Sequence, residues 1–426
     1  MTTRRADLVA VGVAAVLLAA AVAVGYHLNS VGAPIFARAA PVFGEWAPHI
    51  GPGTPFAVVI AIAVCAWGPD LVKRLTWRHA LVSGYLTALA WTFALAMVDG
   101  WRTGFADKLA SRDEYLHEVP GIVDIPAMLR GFTARILDYQ PDSWTTHVSG
   151  HPPGATLVFV WLDRIGLGGG AWAAIACVVV GSAVVVAVPV TLSSLGAPDA
   201  ARAALPFLVL FPGAVWVGAS ADGLFAGVTA TGVALVALGR RSTWLAGGAL
   251  LGFGIYLSYG LVLLGPLALV VALMSGRWRA VGYTVLGALV VASAFTLAGF
   301  WWLDGYHLVI DRYYQGIGLY RPYGYWVWAN LACLLLATGP AVAPGLQRLF
   351  GSRDRLLLFI VGAAVLAVLA ATLSGLSKAE VERIWLPFAV WLLPAVALLP
   401  NRDHRGWLAA QAVTALAVNH LLLTNW

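Results

Sequence analysis

Apolar residues run along this chain in long blocks separated by short polar or basic breaks. Residues 8–26 read LVAVGVAAVLLAAAVAVGY, nineteen positions without a charge. At 1.5 Å per residue, a helix of that length reaches across a hydrocarbon core of roughly 30 Å. Comparable blocks lie at 55–69, 79–98, 171–192, 203–218, 223–238, 243–256, 259–275, 280–302, 326–346, 356–375, 384–400 and 407–424. Lipid offers a bare backbone no hydrogen-bond partner, so the blocks are predicted to be helices, and they are too long for barrel strands. The expected fold is an all-α, polytopic transmembrane helical protein. The opening MTTRRAD is basic like a signal peptide, yet the run behind it is long and lacks a small-residue cleavage site, so it is read as a retained first span.

One block does not fit a simple crossing. HPPGATLVFVWLDRIGLGGG (151–170) is apolar enough to enter the membrane, but a full crossing there would turn the later basic breaks to the opposite side. A partial or re-entrant insertion is expected instead, giving about 13 crossings. Three long outer connections follow from this topology: 27–54, the 53 residues of 99–151, and the Tyr-rich 303–325. A 53-residue connection without structure of its own is unusual, so this one is expected to be functional and partly helical. Within it, IPAMLRGFTARIL (125–137) spaces Ile125, Met128, Leu129, Phe132 and Ile136 as one helical face opposite Arg130 and Arg135, which predicts an amphipathic helix in the interface.

Composition agrees with the pattern: 60% of the 426 residues are hydrophobic and 11% are charged. The net charge of +6 raises a nucleic-acid reading, but the basic residues sit in short clusters between apolar blocks rather than in one stripe. With the N-terminus placed in the cytoplasm, 15 of the 26 Lys and Arg fall on the inner side and 14 of the 20 acids on the outer side. The expected location is the plasma membrane, multi-pass, with no nucleic-acid partner. Cys65, Cys177 and Cys333 all lie inside apolar blocks without a CxxC pair, so neither a disulfide framework nor a cysteine metal site is implied.

The charged residues that remain are concentrated. SRDEYLHEVPGI (111–122) gathers Arg112, Asp113, Glu114, His117 and Glu118 around Tyr115, and 33 residues after Glu118 comes HPPG, His151 to Gly154. The two prolines suit a chain bending from a surface connection into the bilayer. An acidic pair soon after a span, an interfacial helix, then His-Pro-Pro opening the next apolar segment resembles the first outer loop of the type C glycosyltransferase superfamily. Its members include the protein O-mannosyltransferases and the aminoarabinose transferase of lipid A. FPGAVWVGASADGLFAG (211–227) resembles that family's turn and outward-facing acid, here Asp222. AGGALLGFGIYLSYGLVLLGP (246–266) resembles its Gly-rich helix pair, and SKAEVERIWLPFAVWLLP (377–394) its late span, with Arg383, Trp385 and Pro387. The resemblance covers 79–400. It sets out two helices before the core (1–78), the core 79–400 with its outer loop 99–151, and a closing helix in 401–426. The chain departs from the family in those two leading spans and in Ile384, and it is expected to carry no large soluble C-terminal domain.

The resemblance implies an enzyme that moves a sugar from a polyprenyl-phosphate donor to a cell-envelope glycan or glycolipid acceptor on the extracytoplasmic side, usually with inversion. Such chemistry needs a carboxylate to take the acceptor's proton and cations to stabilise the departing lipid phosphate. Asp113 is the expected base with Glu114 beside it, and Asp99 the substitute. Lys378, Arg383, Arg321 and His151 are expected at the donor phosphate, and Tyr115 and Asp222 at the sugar or acceptor. Each also has a plainer role: Asp113 and Glu114 as solvated loop charges, Arg383 as partner of Glu380, Arg321 as an interfacial anchor. His147 and His151, four apart with Asp142 nearby, raise a metal site, but Gly150 and the prolines argue against the helix it needs, so no metal and no other cofactor is expected. The alternative function is a transporter or flippase for a lipid-linked sugar, for which internal repeats and mid-span polar groups would be the mark. An inactive scaffold in an envelope-synthesis complex is the third reading.

Overall fold

In a computed structural model, residues 3–218 and 220–424 are described; Met1, Thr2, Ala219, Asn425 and Trp426, which fall in the opening MTTRRAD, the 211–227 stretch and the closing segment 401–426, lie outside them. The fold is all-α, with one two-stranded pair among the described residues, Gly44–Trp46 antiparallel to Leu422–Thr424. Among the described residues, six helices are long and apolar enough to cross a membrane, or seven if the bent pair Tyr323–Thr338 and Val342–Leu349 is one span.

The first block forms the 28-residue helix Thr3–Ser30. Much of it faces outward with exposed Val and Leu, while Ala21 packs against a small core with Tyr325 and Trp326. Its N-terminal end is tied by Arg348, which donates from Nε and Nη2 to the two oxygens of buried Asp7 at 2.8 and 2.7 Å. Arg405 to Asp70 and Arg202 to the carbonyls of Val72 and Leu75 are further ties made by residues of the basic breaks. Thr54–Arg74 and Trp77–Ala96 follow as an antiparallel pair, and Gly170–Gly181 continues into Val184–Ser194 after a short turn.

Blocks 259–275 and 280–302 appear as Gly265–Leu297, broken at Gly276 and at Arg277, whose φ of 56° is in the left-handed region. The chain reverses there, so that Arg241–Leu257 has both halves beside it: Trp244 Nε1 donates to Ser275 Oγ, and Gly252 lies against Ala288. Glycine on this helix lets backbones approach closely, the usual device where apolar burial supplies no drive between helices.

Four segments depart from expectation. The region 303–325 is not simply a connection, because WLDGYHLVIDRYYQ forms the helix Trp302–Gln315 with Trp302 and Tyr306 stacked one turn apart. The 125–137 helix is shorter and broken: it runs Ile125–Gly131, capped by Asp124 accepting from Ala127 N, and then becomes a tight turn. Its Met128, Leu129, Phe132 and Ile136 pack into the protein's own core instead of into lipid. Block 326–346 bends by 107° between Thr338 and Val342. Block 384–400 is three short pieces, Val381–Ile384, Leu386–Ala389 and Leu393–Leu398, with Trp385, Leu386, Trp391 and Leu393 fully buried. Pro387 and Pro394 remove ladder donors, and a segment apolar all round is suited to a protein interior. HPPG opens Pro153–Arg164, whose 12 residues span about 18 Å, short of a crossing.

Close helix contact gives a direct test. A Cβ on Gly252 would lie 2.6 Å from Ala288 Cα, whereas one on Gly282 meets nothing within 4 Å. Gly252→Val is expected to destabilise the fold by about 1–3 kcal/mol in thermal unfolding of the micelle-bound protein. Gly282→Ala should leave the midpoint unchanged or slightly raised.

Candidate active site

The HPPG segment works through its backbone. His151 and Pro152 are extended (φ −127° and −62°, ψ 154° and 160°), as a residue before proline prefers, and Pro153 starts the next helix. This folds 145–151 onto 111–118. His147 N donates to Asp113 O at 2.9 Å, Thr145 N to Glu118 Oε1 at 3.0 Å, and Thr146 Oγ1 to Asp113 Oδ1 at 3.2 Å. The His147 and His151 rings lie tilted beside Tyr115, with centroids 6.0 and 5.8 Å away, and His151 Nδ1 reaches His147 O at 2.8 Å.

Arg383 meets this layer from the far end of the sequence. Its Nη1 donates to Asp222 Oδ2 at 2.6 Å, and its Nη2 donates to Glu380 Oε2 at 3.0 Å and to His147 Nε2 at 3.1 Å. A guanidinium has no acceptor, so His147 Nε2 must be the acceptor and its Nδ1 must carry the proton. That proton faces Asp113 O at 3.0 Å and Glu114 Oε1 at 3.3 Å. Asp222 is oriented by Ser220, which caps Ala221–Ala237 and bonds both the backbone N and Oδ2 of Asp222.

The pairing continues outward. Glu380 Oε1 accepts from Arg321 Nη1 at 3.1 Å, and Arg321 Nη1 also donates to Lys378 O at 2.8 Å. Lys378 Nζ in turn donates to Gly318 O and Arg321 O, with the rings of Tyr313 and Tyr314 within 6 Å. Ala379 and Glu380 take φ of 71° and 64°, strained values for residues with a Cβ, and they aim the one-turn helix Val381–Ile384. Arg321 Nε and Nη2 are buried and have no acceptor among the described residues.

The structure thus brings Glu114, His147, His151, Asp222, Lys378, Glu380, Arg383 and Arg321 into one connected, buried cluster. It separates the acidic pair: Glu114 is buried, while Asp113 is exposed and shares only its backbone carbonyl with the cluster. Arg383 already holds two carboxylates, whereas Arg321 keeps two donors, Nε and Nη2, without an acceptor among the described residues. Asp222 faces Arg383, and Tyr115 is fully buried against Phe159, so neither presents an open surface to a sugar. Asp99 lies apart, 2.5 Å from His49 Nε2. A one-turn helix Thr146–Gly150 does form between the two histidines, but Arg383 occupies His147 Nε2, and the described residues hold no group of three or more candidate metal ligands. In the sequence alone, His147 has no role beyond a metal ligand and Ser220 none at all; Glu380, three residues from Arg383, carries a local signal.

No family model and no curated protein matches the sequence. Among solved structures, the crystal structure of the Archaeoglobus fulgidus oligosaccharyltransferase complex with Zn and sulfate is similar, with a TM-score of 0.47 at 14% identity. The alignment covers 79% of this chain and 50% of that one, so this chain spans about half the length of that protein.

Burial sets the electrostatics. Glu114 is pushed up to about 7, first by burial and then by the charges of Asp222 and Asp113, with Arg383 opposing. His147 is held well below the ordinary imidazole range by burial and by Arg383 and His151. A carboxyl that ionises near 4.5 unfolded and about 7 folded binds its proton more tightly in the fold. Its stabilising contribution is complete below 4.5 and is lost as pH rises through 7. His147 has the opposite sign, so the informative quantity is a difference: the stability of Glu114→Gln relative to wild type should rise from pH 5 to pH 8, read as thermal midpoints. Arg383→Met leaves buried Asp222 without its cation, while Glu380 keeps Arg321, and should cost about 3–5 kcal/mol in chemical unfolding. Asp222→Asn in that background should recover part of the loss.

Proposed function

We propose that this chain is a membrane glycosyltransferase that moves a sugar from a polyprenyl-phosphate donor to a cell-envelope glycan or glycolipid acceptor at the extracytoplasmic face of the plasma membrane. The observation that carries this reading is the continuous ion chain Asp222, Arg383, Glu380, Arg321, joined to the 111–118 segment through His147. It links in space the segments on which the family resemblance rests: the acidic pair, the 211–227 turn and the late basic pair. The proposed layout keeps 79–400 as the catalytic core, with 1–78 leading into it and 401–426 closing it.

In this mechanism the acceptor hydroxyl oxygen attacks the anomeric carbon as the bond from that carbon to the phosphate oxygen breaks. The electron pair leaves with the lipid phosphate, and the hydroxyl proton passes to Asp113. Asp113 suits the base because an incoming acceptor can reach its exposed carboxylate, which Thr146 orients, whereas Glu114 is sealed. Arg321 suits the leaving phosphate because its Nε and Nη2 are unsatisfied donors in a dry setting, with Lys378 adjacent as a second positive charge. Arg383, Glu380 and Asp222 hold these groups in place, and His147, neutral with its proton on Nδ1, fixes the 111–118 segment.

The reading is tested with purified protein, a polyprenyl-phosphate sugar and a glycan acceptor, following release of polyprenyl phosphate. Asp113→Asn should lower turnover by about 10²–10⁴-fold while leaving donor affinity unchanged, the usual cost of losing a general base. Tight donor binding without turnover in the wild type would instead favour a flippase for the lipid-linked sugar.

A further inference from the structure

The two unsatisfied nitrogens of Arg321 do not open to water. The guanidinium carbon lies 5.2 Å from the ring centroid of Phe43 and 6.0 Å from that of Trp326, so two aromatic rings adjoin the group. Trp326 belongs to the helix Tyr323–Thr338 and is fully buried; Phe43, half-buried, belongs to the connection after the first helix. Phe43 is held by an unusual partner: its backbone N donates at 3.0 Å to Oε1 of Glu382, a carboxylate with no exposed surface. The neighbouring backbone is fixed as well, by the Cys333 thiol donating to Pro41 O at 2.8 Å and by the strand Gly44–Trp46 paired with Leu422–Thr424.

A carboxyl group buried to meet the backbone amide of Phe43 costs desolvation that a neutral acceptor would largely avoid, so its placement calls for a reason. The segment around it supplies one. Glu380 pairs with Arg321, Glu382 with Phe43, and Arg383 with Asp222, all from a single helical turn and its entry residue. The same turn that orients the guanidinium therefore seats the ring across it.

Resting on the donor-phosphate reading of Arg321, we propose that Glu382 is a positioning residue that holds Phe43 as a gate. A lipid phosphate reaches Arg321 Nε and Nη2 only when the Phe43 ring turns aside, and the ring then closes behind the anion and excludes water. Because the backbone on both sides of Phe43 is pinned, the moving part is the side chain.

The test measures association and dissociation rates of a fluorescent short-chain polyprenyl phosphate on the full chain in micelles, with inorganic phosphate as competitor to separate headgroup from tail binding. Phe43→Ala should raise both rates by about 10-fold with a smaller change in affinity, since a gate acts on access in both directions. Glu382→Ala should move both rates the same way, and Glu382→Gln, whose amide oxygen still accepts from Phe43 N, should restore near wild-type rates. A merely structural Glu382 would shift the unfolding midpoint without this paired acceleration. Should Glu382→Ala fail to fold, Phe43→Ala and Phe43→Leu carry the test, because Leu keeps apolar volume at this half-buried position and loses the ring. Arg321→Gln should weaken polyprenyl phosphate binding by about 10-fold or more, as loss of a charge-assisted anion contact does. Unchanged rates in the Phe43 variants beside weakened binding in Arg321→Gln would overturn the gate and leave the donor site standing. Unchanged binding in Arg321→Gln would remove the donor-phosphate assignment and the gate with it.

Discussion

The Arg383 guanidinium, removed from water among Asp222, Glu380 and His147, is the interaction on which the rest of the site depends. A buried cation is tolerated only when its partners are close and well aimed, and here the partners come from three segments far apart in sequence. Meeting that requirement fixes the 145–151 turn against 111–118, the start of Ala221–Ala237, and the short helix Val381–Ile384 at once. Charge balance explains why the cluster takes this composition. Arg321, Lys378 and Arg383 face Asp222, Glu380 and Glu114, and burial makes Glu114 hold its proton more tightly than an ordinary carboxyl.

That last point gives adjacent acids different characters. Glu114 is extended at its backbone (φ −95°, ψ 168°), and consecutive side chains in extended chain point to opposite sides. Asp113 therefore remains in water while Glu114 enters the interior. One is suited to collecting a proton from an arriving molecule, the other to adjusting the charge of the cluster behind it.

The helices were legible in the sequence wherever lipid sets the rule, as at 8–26, because only internal hydrogen bonding is available there. Block 384–400 misled for a related reason: uniform apolarity does not distinguish a lipid-facing span from a strand of core, and the prolines at 387 and 394 were the sole hint of the latter. Trp302–Gln315 was hidden because its aromatics and charges resemble a surface connection, although their spacing is helical. At the site, the Glu380 to Arg383 pair is three residues apart and readable, whereas Asp222 lies 161 positions from Arg383 and Phe43 lies 339 from Glu382, separations at which one sequence carries no signal. The order of motifs along the chain identified the segments to watch, but not which acid would be buried or which arginine would keep spare donors.

The packing of three assignments into the residues 380, 382 and 383 has an evolutionary corollary. Each of these side chains points a different way from one turn whose entry is fixed by two left-handed residues. Losing or gaining a single amino acid there would rotate all three at once, bringing the wrong charge to each neighbour, whereas exchange of one side chain disturbs one neighbour. Descendants of this chain should therefore vary this stretch by replacement and never by length, with gaps accumulating in the surface connections on either side.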